Sequence, residues 1–365
     1  MLDDIFVING VSHAYNLRPD NIQPNRWAES LRDLLLALHT GWNPPGVSMS
    51  HEDQQTDWSV DTLARSLFLE TDVDMAITHT LRLDSYMKDG LCRREKTVEA
   101  CTKYPDRFLG YVGVDPTDGL EVCLRELDEQ MAELPQAVGL KLYPSQVDPF
   151  TSWRMDDPKL AFPLFERAME HGLKIVAVHK AAPLGPVPMN PYRIDDVEGA
   201  AMEFPDLSFL IIHGGLAFVD ETAQAIARYP NVYADFEITA SYLVKAPILF
   251  ERVMGEFMLW AGPQKIIYSD GHMVFHSQPI LERFRDFQFT EEALNGYGVN
   301  QLTREDKAAI LGGNLARIIG LDIEAAKARI ANDQFAQERR RTGLQPPYSN
   351  WRAELSRAAA AKVTA

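Results

Sequence analysis

The sequence predicts an α/β protein built as a (β/α)8 TIM barrel, with a long loop insertion after the first strand and a helical arm at the C-terminus. Two observations lead to this fold class. Short runs of β-branched and aromatic residues alternate with longer amphipathic stretches from the N-terminus to about Gly320. Histidine and acidic residues recur where the short runs end, which is where barrel enzymes gather their active sites.

Eight short runs are the predicted strands. Most are continuously apolar, as expected for parallel strands that are buried on both faces of the sheet. They cover residues 5–13, 73–79, 107–115, 137–143, 173–179, 207–213, 232–237 and 265–270. Because helical stretches separate these runs throughout, we expect residues 1–321 to form one barrel domain.

The predicted barrel helices have the amphipathic period of about 3.6 residues. They cover residues 61–70, 95–104, 120–133, 158–171, 194–204, 220–229, 245–257 and 304–319. Gly312 and Gly313 lie inside the last of these helices. We therefore interpret this glycine pair as structural and not as a phosphate-binding loop.

Two segments interrupt the strand–helix alternation. Residues 14–58 are polar and rich in Trp, Pro and Asn, and they are far longer than an ordinary βα loop. This insertion is predicted to be a lid over the mouth of the barrel. Residues 322–365 form an Ala-, Arg- and Gln-rich arm, partly helical and broken at Gly343. Its charge predicts a solvated face or an arm that clasps a neighbouring subunit.

The composition argues against several classes of protein. The chain has 365 residues, 46% hydrophobic and 24% charged, and no apolar run approaches the roughly 18 residues of a membrane span. The net charge of -16, without a basic stripe, predicts no nucleic-acid or membrane partner. The acidic start at residues 1–4 predicts no secretory signal and a cytoplasmic location. The three cysteines Cys92, Cys101 and Cys123 lack C-x-x-C spacing and are predicted to be reduced and buried.

Chemistry-bearing side chains follow six of the predicted strands. Five of the nine histidines lie at or just past a strand end, together with three carboxylates: His13, His79, His179, His213, Asp235, Glu237, Asp270 and His272. Parallel strands of a barrel bring their carboxyl ends to one face, so these side chains should converge on one cavity. Neutral imidazole and carboxylate are ligands for zinc, iron or manganese. The pattern predicts a divalent-metal site that binds a small-molecule substrate.

A single histidine at a strand end is more often a hydrogen-bonded core residue than a metal ligand. The shared placement favours function for His13, His179, His213 and Asp270, while Glu237, His272 and His79 remain open between the two interpretations. Lys141 is open between a carbamylated bridging ligand, a buried base and an ordinary partner of a carboxylate. The remaining histidines are interpreted as structural, with His51 left open because it lies in the lid segment: His39, His51, His171 and His276.

Several longer phrases carry a family resemblance that covers nearly the whole predicted barrel. They are the phrases at residues 139–144 (GLKLYP), 178–180 (VHK), 211–215 (IIHGG), 229–235 (YPNVYAD), 268–270 (YSD) and 310–317 (ILGGNLAR). In order and spacing, the chain resembles the amidohydrolase superfamily and its amidohydrolase-related branch, which includes aminocarboxymuconate semialdehyde decarboxylase and resorcylate decarboxylase.

The resemblance implies roles for three of the strand-end residues. His179 would be a metal ligand after the fifth strand, and His213 a ligand or a catalytic partner of the transition state after the sixth. Asp270 would be the ligand after the eighth strand and would also transfer protons. The metal would polarise a substrate oxygen or activate a water molecule.

One position departs from the family pattern. The family's first strand ends in a His-x-His pair, whereas this chain has Val11 two residues before His13. Glu237, His272, His79 and His51 are available to replace the missing ligand. A shell richer in carboxylate favours iron or manganese over zinc. Such a shell resembles that of dinuclear iron or manganese–iron relatives such as aminoisobutyric acid hydroxylase, whose two subunits are homologous.

Three functional hypotheses follow. The first is a metal-dependent hydrolase or decarboxylase of a small carboxylated substrate, with His13, His179, His213 and Asp270 around one ion. The second is a dinuclear Mn/Fe or Fe/Fe hydroxylase of an amino-acid-like substrate that needs a homologous subunit. The third is an inactive structural paralogue. A carboxylated substrate would suit an arginine at the mouth, and four predicted loop arginines are candidates: Arg18, Arg82, Arg154 and Arg193. Homo- or hetero-oligomerisation is expected from the resemblance.

Overall fold

The fold is a closed barrel of eight parallel strands surrounded by helices, as predicted. The computed structural model describes residues 5–364, so residues 1–4 and 365 of the predicted domains lie outside it. The strands are β1 Ile8–Ser12, β2 Met75–His79, β3 Phe108–Gly113, β4 Gly139–Leu142, β5 Ile175–His179, β6 Ser208–Ile212, β7 Val232–Asp235 and β8 Ile266–Ile267. Each of these strands pairs with the next in parallel register.

The last strand closes the barrel onto the first. The Gly10 amide donates to the carbonyl of Tyr268 at 3.1 Å, and the His13 amide donates to the carbonyl of His272 at 2.7 Å. The regular part of β8 is only two residues long, shorter than the predicted segment 265–270, because Tyr268 donates its amide to Ile310 instead of continuing the ladder with β7. Closure leaves no free sheet edge.

Seventeen α-helices are present in the described part of the chain. They are α1 Arg26–Trp42, α2 His51–Gln54, α3 Val60–Glu70, α4 Arg94–Lys103, α5 Leu120–Glu133, α6 Ala161–Glu170, α7 Asp195–Glu203, α8 Val219–Arg228, α9 Tyr242–Lys245, α10 Pro247–Trp260, α11 Ser277–Asp286, α12 Glu291–Tyr297, α13 Arg304–Ala308, α14 Asn314–Ile319, α15 Ile323–Ile330, α16 Gln334–Thr342 and α17 Ser349–Thr364. None of the described helices is both long and apolar enough to cross a membrane.

Two predicted helices differ in detail from the observed ones. The predicted helix 245–257 begins at Pro247, since proline lacks the amide that a helix interior needs and suits the first turn. The predicted helix 304–319 is divided by a π-helical turn at Ala309–Gly313. At this turn a Cβ atom on Gly312 would lie 2.3 Å from the carbonyl oxygen of Phe6, so only glycine allows the close approach. The glycine pair is thus structural, as predicted.

The core has two layers. Side chains inside the lower barrel form one cluster, which includes Val11, Ile77 and Ile212. A larger cluster fills the space between the strands and the surrounding helices, and it contains all three free cysteines. Val11, the residue that replaces the family's first histidine, is fully buried in the inner cluster. Apolar packing therefore occupies that position.

The insertion at residues 14–58 contains a helix that the sequence analysis missed. α1 presents Leu31, Leu34, Leu35 and Leu38 on one face, with the i, i+3, i+4, i+7 spacing of an amphipathic helix. Asn25 caps its N-terminus by accepting hydrogen bonds from the amides of Trp27 and Ala28. This spacing and the cap were readable in the sequence, but the surrounding Trp, Pro and Asn residues led to the prediction of a loop.

The C-terminal arm packs on the barrel of its own chain. Tyr348 and Trp351 are buried, and the ring of Trp351 lies 4.2 Å from that of Trp58. The buried carboxylate of Glu70 on α3 accepts hydrogen bonds from the amides of Tyr348 and Asn350. The prediction of a solvated face is therefore wrong for this part of the arm. Charge runs mark the exposed faces of α16 and α17, whereas the anchor to the barrel is aromatic and polar.

Candidate active site

A cavity of about 340 Å³ opens at the carboxyl ends of the barrel strands. Helix α1 covers one side of it. The walls are almost entirely apolar, and polar side chains lie only at the floor. The lining residues that define the site are His13, Tyr15, Leu31, Leu34, Leu35, Leu38, Trp42, Tyr143, His179, His213, Leu216, Glu237, Val274 and Phe275.

Four of the predicted site residues meet on the cavity floor. His13 follows β1, His179 ends β5, His213 follows β6 and Glu237 follows β7. The Glu237 carboxylate lies between two of the imidazoles, with Oε1 3.9 Å from His13 Nε2 and Oε2 3.6 Å from His213 Nε2. His213 Nε2 is 3.0 Å from His179 Nδ1. These four side chains are the polar floor of the cavity.

The ring nitrogens of His179 and His213 make three close contacts. His179 Nε2 lies 2.8 Å from the carbonyl oxygen of Ala182, and His213 Nδ1 lies 3.3 Å from that of Glu237. His179 Nδ1 and His213 Nε2 face each other at 3.0 Å. Two neutral rings carry two N–H groups and a carbonyl only accepts, so the three contacts cannot all be hydrogen bonds at once. A cation held between the two facing nitrogens would let both rings donate to their carbonyls.

Burial keeps these imidazoles neutral. Desolvation lowers the pKa of His213 to about 3, with a further contribution from Lys141. It also lowers the pKa of His13 and His179 well below the usual value, helped by neighbouring imidazoles. Burial raises the pKa of Glu237 to about 8, against the opposing charge of Lys141. The floor thus holds neutral ring nitrogens and a carboxyl group that burial pushes toward its neutral form.

The donor set matches the chemistry of a divalent cation. When both rings donate to their carbonyls, the two facing nitrogens are both acceptors and suit a shared cation, and two nitrogens bound to one metal at about 2.1 Å are separated by about 3.0–3.4 Å. His13 adds a buried Nδ1 without a hydrogen-bond partner. Among residues 5–364, no three His, Cys, Asp or Glu side chains are yet gathered around one point as in a finished site. His179 and His213 therefore fit a metal in type and in spacing, and Glu237 and His13 lie beside them.

A second polar group lies beneath the floor and does not line the cavity. His79 Nε2 donates to the carbonyl oxygen of Gly10 at 2.8 Å, while its Nδ1 has no partner. The Lys141 ammonium group is buried, lacks a hydrogen-bond partner, and lies 5.2 Å from the centre of the Tyr143 ring. Burial lowers the pKa of Lys141, and the nearby Glu237 and Asp235 carboxylates oppose that shift.

Asp270 and His272 do not reach the cavity. The Asp270 carboxylate accepts hydrogen bonds from Asn9 Nδ2 at 2.6 Å, from the Tyr268 hydroxyl at 2.5 Å and from the His272 amide at 3.0 Å. The His272 ring points the other way, with Nδ1 3.1 Å from Ser277 Oγ and Nε2 3.0 Å from Ser66 Oγ. The expectation that all strand-end side chains converge is therefore wrong for these two.

Other predicted contributors lie away from the site. His51 is exposed on α2, with Nε2 3.2 Å from Thr40 Oγ1. The four loop arginines form ion pairs and none lines the cavity, so they offer no built carboxylate site: Arg18 pairs with Asp20, Arg82 with Asp84 and Glu126, Arg154 with Asp156 and Asp195, and Arg193 with Glu221. The charge of each arginine is neutralised by acidic residues that are close to it in sequence or in the fold.

The sequence analysis missed two aromatic residues of the floor. Tyr15 lies two residues past His13, and the two rings are 5.0 Å apart. Tyr143 follows β4 and stacks on His179 at 4.9 Å. Both follow strand ends, as the predicted residues do. A search for phenol groups as well as for imidazole and carboxylate would have found them.

A family model described as amidohydrolase matches residues 59–321, well over half of the chain. The chain belongs to the amidohydrolase family. The amidohydrolase model begins after the α1 insertion and ends where the arm begins. In a sequence search, no curated protein matches this amidohydrolase.

Solved structures similar to this amidohydrolase share its fold at low sequence identity. An uncharacterised TIM-barrel protein from Bordetella bronchiseptica has a TM-score of 0.59 at 17% identity, covering 87% of this chain and 99% of that one. The 5-carboxyvanillate decarboxylase from Sphingomonas paucimobilis has a TM-score of 0.54 at 16% identity, covering 87% and 100%. A 5-carboxyvanillate decarboxylase variant from Novosphingobium aromaticivorans, with bound manganese, has a TM-score of 0.52 at 14% identity, covering 87% and 98%.

Proposed function

We propose that this chain is a divalent-metal-dependent decarboxylase or hydrolase of a small carboxylated substrate. The observation that carries the proposal is the close approach of His179 Nδ1 and His213 Nε2, with the Glu237 carboxyl group beside them at the floor of the cavity. The family supports it, since similar folds include decarboxylases, one of them solved with manganese.

His179 and His213 are the proposed first metal ligands, with Glu237 and His13 completing the set. When bound, a divalent ion supplies a Lewis acid that polarises a substrate oxygen or lowers the pKa of a bound water toward about 7. The chain itself orients the imidazoles, through the carbonyls of Ala182 and Glu237. We include His13 because its Nδ1 is buried and unpartnered.

Within this class, the walls of the cavity favour decarboxylation over hydrolysis. Loss of CO2 disperses the charge of a carboxylate, and apolar walls such as those of α1 solvate a concentrated charge poorly. His213 remains the proposed catalytic residue, because it lies on the floor next to Glu237. Asp270 is proposed as a positioning residue, because three hydrogen-bond donors already hold its carboxylate outside the lining.

The dinuclear hydroxylase hypothesis receives less support. It relied on Glu237 and His272, with His79 or Lys141 in addition, for a second ion. Glu237 lies on the floor, but both ring nitrogens of His272 lie against serine hydroxyls outside the cavity. His79 Nδ1 and Lys141 Nζ lie beneath the floor without hydrogen-bond partners, and neither residue lines the cavity. The inactive-paralogue hypothesis gives no reason for three imidazoles and Glu237 to share the floor of the cavity.

The test is metal analysis combined with assays on matched variants. We expect about one zinc or manganese ion per chain in protein purified without added metal or chelator, and CO2 release from a member of a panel of small carboxylic acids. His179→Ala and His213→Ala should each lower the metal content and the turnover at least tenfold, as losses of ligands do. Asp270→Asn should retain more metal than either.

His171→Ala is the control, because His171 bonds to Asp128 at 2.7 Å on the outer surface. It should leave metal content and turnover unchanged. Full metal and full turnover in both ligand variants would refute the proposal. Two ions per chain, including iron, would favour the dinuclear hydroxylase instead.

A further inference from the structure

We propose that the substrate carries a single anionic group on an apolar body and has no second anionic group. This inference rests on the proposed function, because it places the anionic group at the metal-binding floor. It goes beyond that function by naming the part of the substrate that does not react. The argument comes from the walls of the cavity, from the charges around them and from the covering helix.

The wall formed by α1 is a stripe of leucines. Leu31, Leu34, Leu35 and Leu38 lie on one face of the helix, and Trp42 continues that face at its end. Residues at this spacing lie on one face of a helix, so no polar side chain separates the four leucines on the cavity side. The part of the substrate that touches α1 therefore leaves water and contacts only apolar side chains.

The opposite walls are also apolar. Loops after the strands contribute leucine, valine, proline and phenylalanine side chains but no amide or ammonium group: Leu81, Leu83, Leu91, Pro183, Leu184, Leu216, Val274 and Phe275. The polar lining side chains are Tyr15, Tyr143 and the four floor residues. Polar recognition is thus confined to one end of the cavity, and apolar contact extends over the rest.

The lack of an unpaired cation around the mouth argues against a second anionic group on the substrate. Among the described residues that line the cavity, none is a lysine or an arginine. The nearest loop arginines are held by carboxylates: Arg82 by Asp84 and Glu126, and Arg193 by Glu221. A second carboxylate on the substrate would lose its water without gaining a cation, and an unpaired buried charge is strongly unfavourable.

The experiment uses ligands of known length as probes. Butanoate, hexanoate and octanoate are titrated calorimetrically into manganese-loaded protein, and octanedioate is compared with octanoate. In parallel, 1-hexanol and 1-octanol are titrated into protein without added metal, because neutral alcohols test the walls and not the metal. We expect affinity to rise about fourfold for each added methylene in both series. Octanedioate should bind at least tenfold more weakly than octanoate.

A matched pair of variants locates the effect. Leu34 lies on the cavity wall with 39% of its surface exposed, and Leu249 lies on α10 away from the cavity with 41% exposed. Leu34→Lys adds a cation at the mouth and should narrow the gap between octanedioate and octanoate at least threefold. Leu249→Lys should leave the gap unchanged. Both sites are exposed enough for lysine to be tolerated.

The outcomes separate this inference from the proposed function. Equal affinities for octanedioate and octanoate in the unmodified protein, or no dependence on chain length, would overturn the inference. Chain-length dependence with octanoate and the alcohols, but no metal retention or turnover, would reject the proposed function and leave the apolar ligand class standing. Turnover of a carboxylic acid, with affinities that do not depend on chain length, would support the proposed function and overturn this inference.

Discussion

Histidine chemistry at this site depends on which nitrogen of each ring is tied to the backbone. His179 and His213 each use one nitrogen on a carbonyl, and this leaves the other two nitrogens facing each other. His272 uses both nitrogens on hydroxyl groups and is thereby unavailable. Residue type alone does not distinguish these cases, because all three are buried histidines at strand ends.

Asp115 provides a test of pH dependence away from the cavity. It follows β3, is buried, and accepts hydrogen bonds from the Thr117 amide at 2.9 Å and hydroxyl at 2.7 Å. Burial raises the pKa of Asp115 to about 6, against these hydrogen bonds. The folded state therefore holds the proton more tightly than the unfolded state, and stability falls as pH rises from about 4 to about 6.

Asp115→Asn removes the ionisable group and with it the loss of stability as pH rises. The side-chain oxygen of the asparagine can still accept hydrogen bonds from Thr117. We expect the variant to become more stable than the unmodified protein as pH rises through this window, by up to about 3 kcal/mol above pH 6. Urea unfolding at pH 4 and pH 7 measures the difference. Asp206→Asn, at an exposed position in the turn before β6, should show no such trend. A constant difference between the two pH values would contradict the prediction.

At the scale of elements, the C-terminal arm supports the wall of the site. The Tyr348 hydroxyl donates to the carbonyl of Met273 at 2.9 Å, next to the lining residues Val274 and Phe275. Trp351 packs on Trp58, which in turn packs on Tyr15 at 5.7 Å. A continuous aromatic contact thus connects helix α17 with the floor of the cavity.

Trp351→Ala should destabilise the fold strongly. It removes a fully buried ring and leaves a cavity against Trp58, which costs about 3–5 kcal/mol for a large aromatic side chain. The midpoint of urea unfolding reports the change. Trp260 is the matched control, because it lies on α10 with 52% of its surface exposed. Trp260→Ala should change stability by less than about 0.5 kcal/mol, and equal effects of the two substitutions would refute the packing argument.

At the scale of the whole molecule, the barrel, the α1 insertion and the arm share one core. Leu31 of α1, Leu63 of α3 and Trp351 of α17 belong to the same buried cluster. The arm is therefore part of the domain, although the family match ends at residue 321. A shared core predicts that these segments lose their structure together.

We expect the arm and the barrel to unfold in a single transition in urea. A fluorophore on Ser356→Cys, which is exposed on α17, reports the arm, and far-ultraviolet circular dichroism reports the whole chain. The three native cysteines are buried, so labelling of the folded protein should be selective. Coincident midpoints are the expected result. An arm that unfolds at a lower urea concentration would show that its contacts are marginal.

Periodicity in the sequence determined the eight strands, the barrel and the positions of the strand-end residues. These follow from local patterns, because alternation of apolar strands and amphipathic helices has few folded solutions. Asn25 and the leucine spacing of α1 were also local signals, but the polar residues around them concealed the helix. The family phrases likewise lay in the sequence and matched the family that was found.

Only the tertiary structure decided which of those residues form a site. A strand end fixes where a side chain starts, but its rotamer and hydrogen-bond partners come from elements distant in sequence. His272 turns toward Ser66, which is 206 positions away, and Asp270 is held by Asn9, 261 positions away. The apolar cavity has the same origin, since the leucines of α1 meet the loops of β2, β5 and β8 only after the barrel has closed.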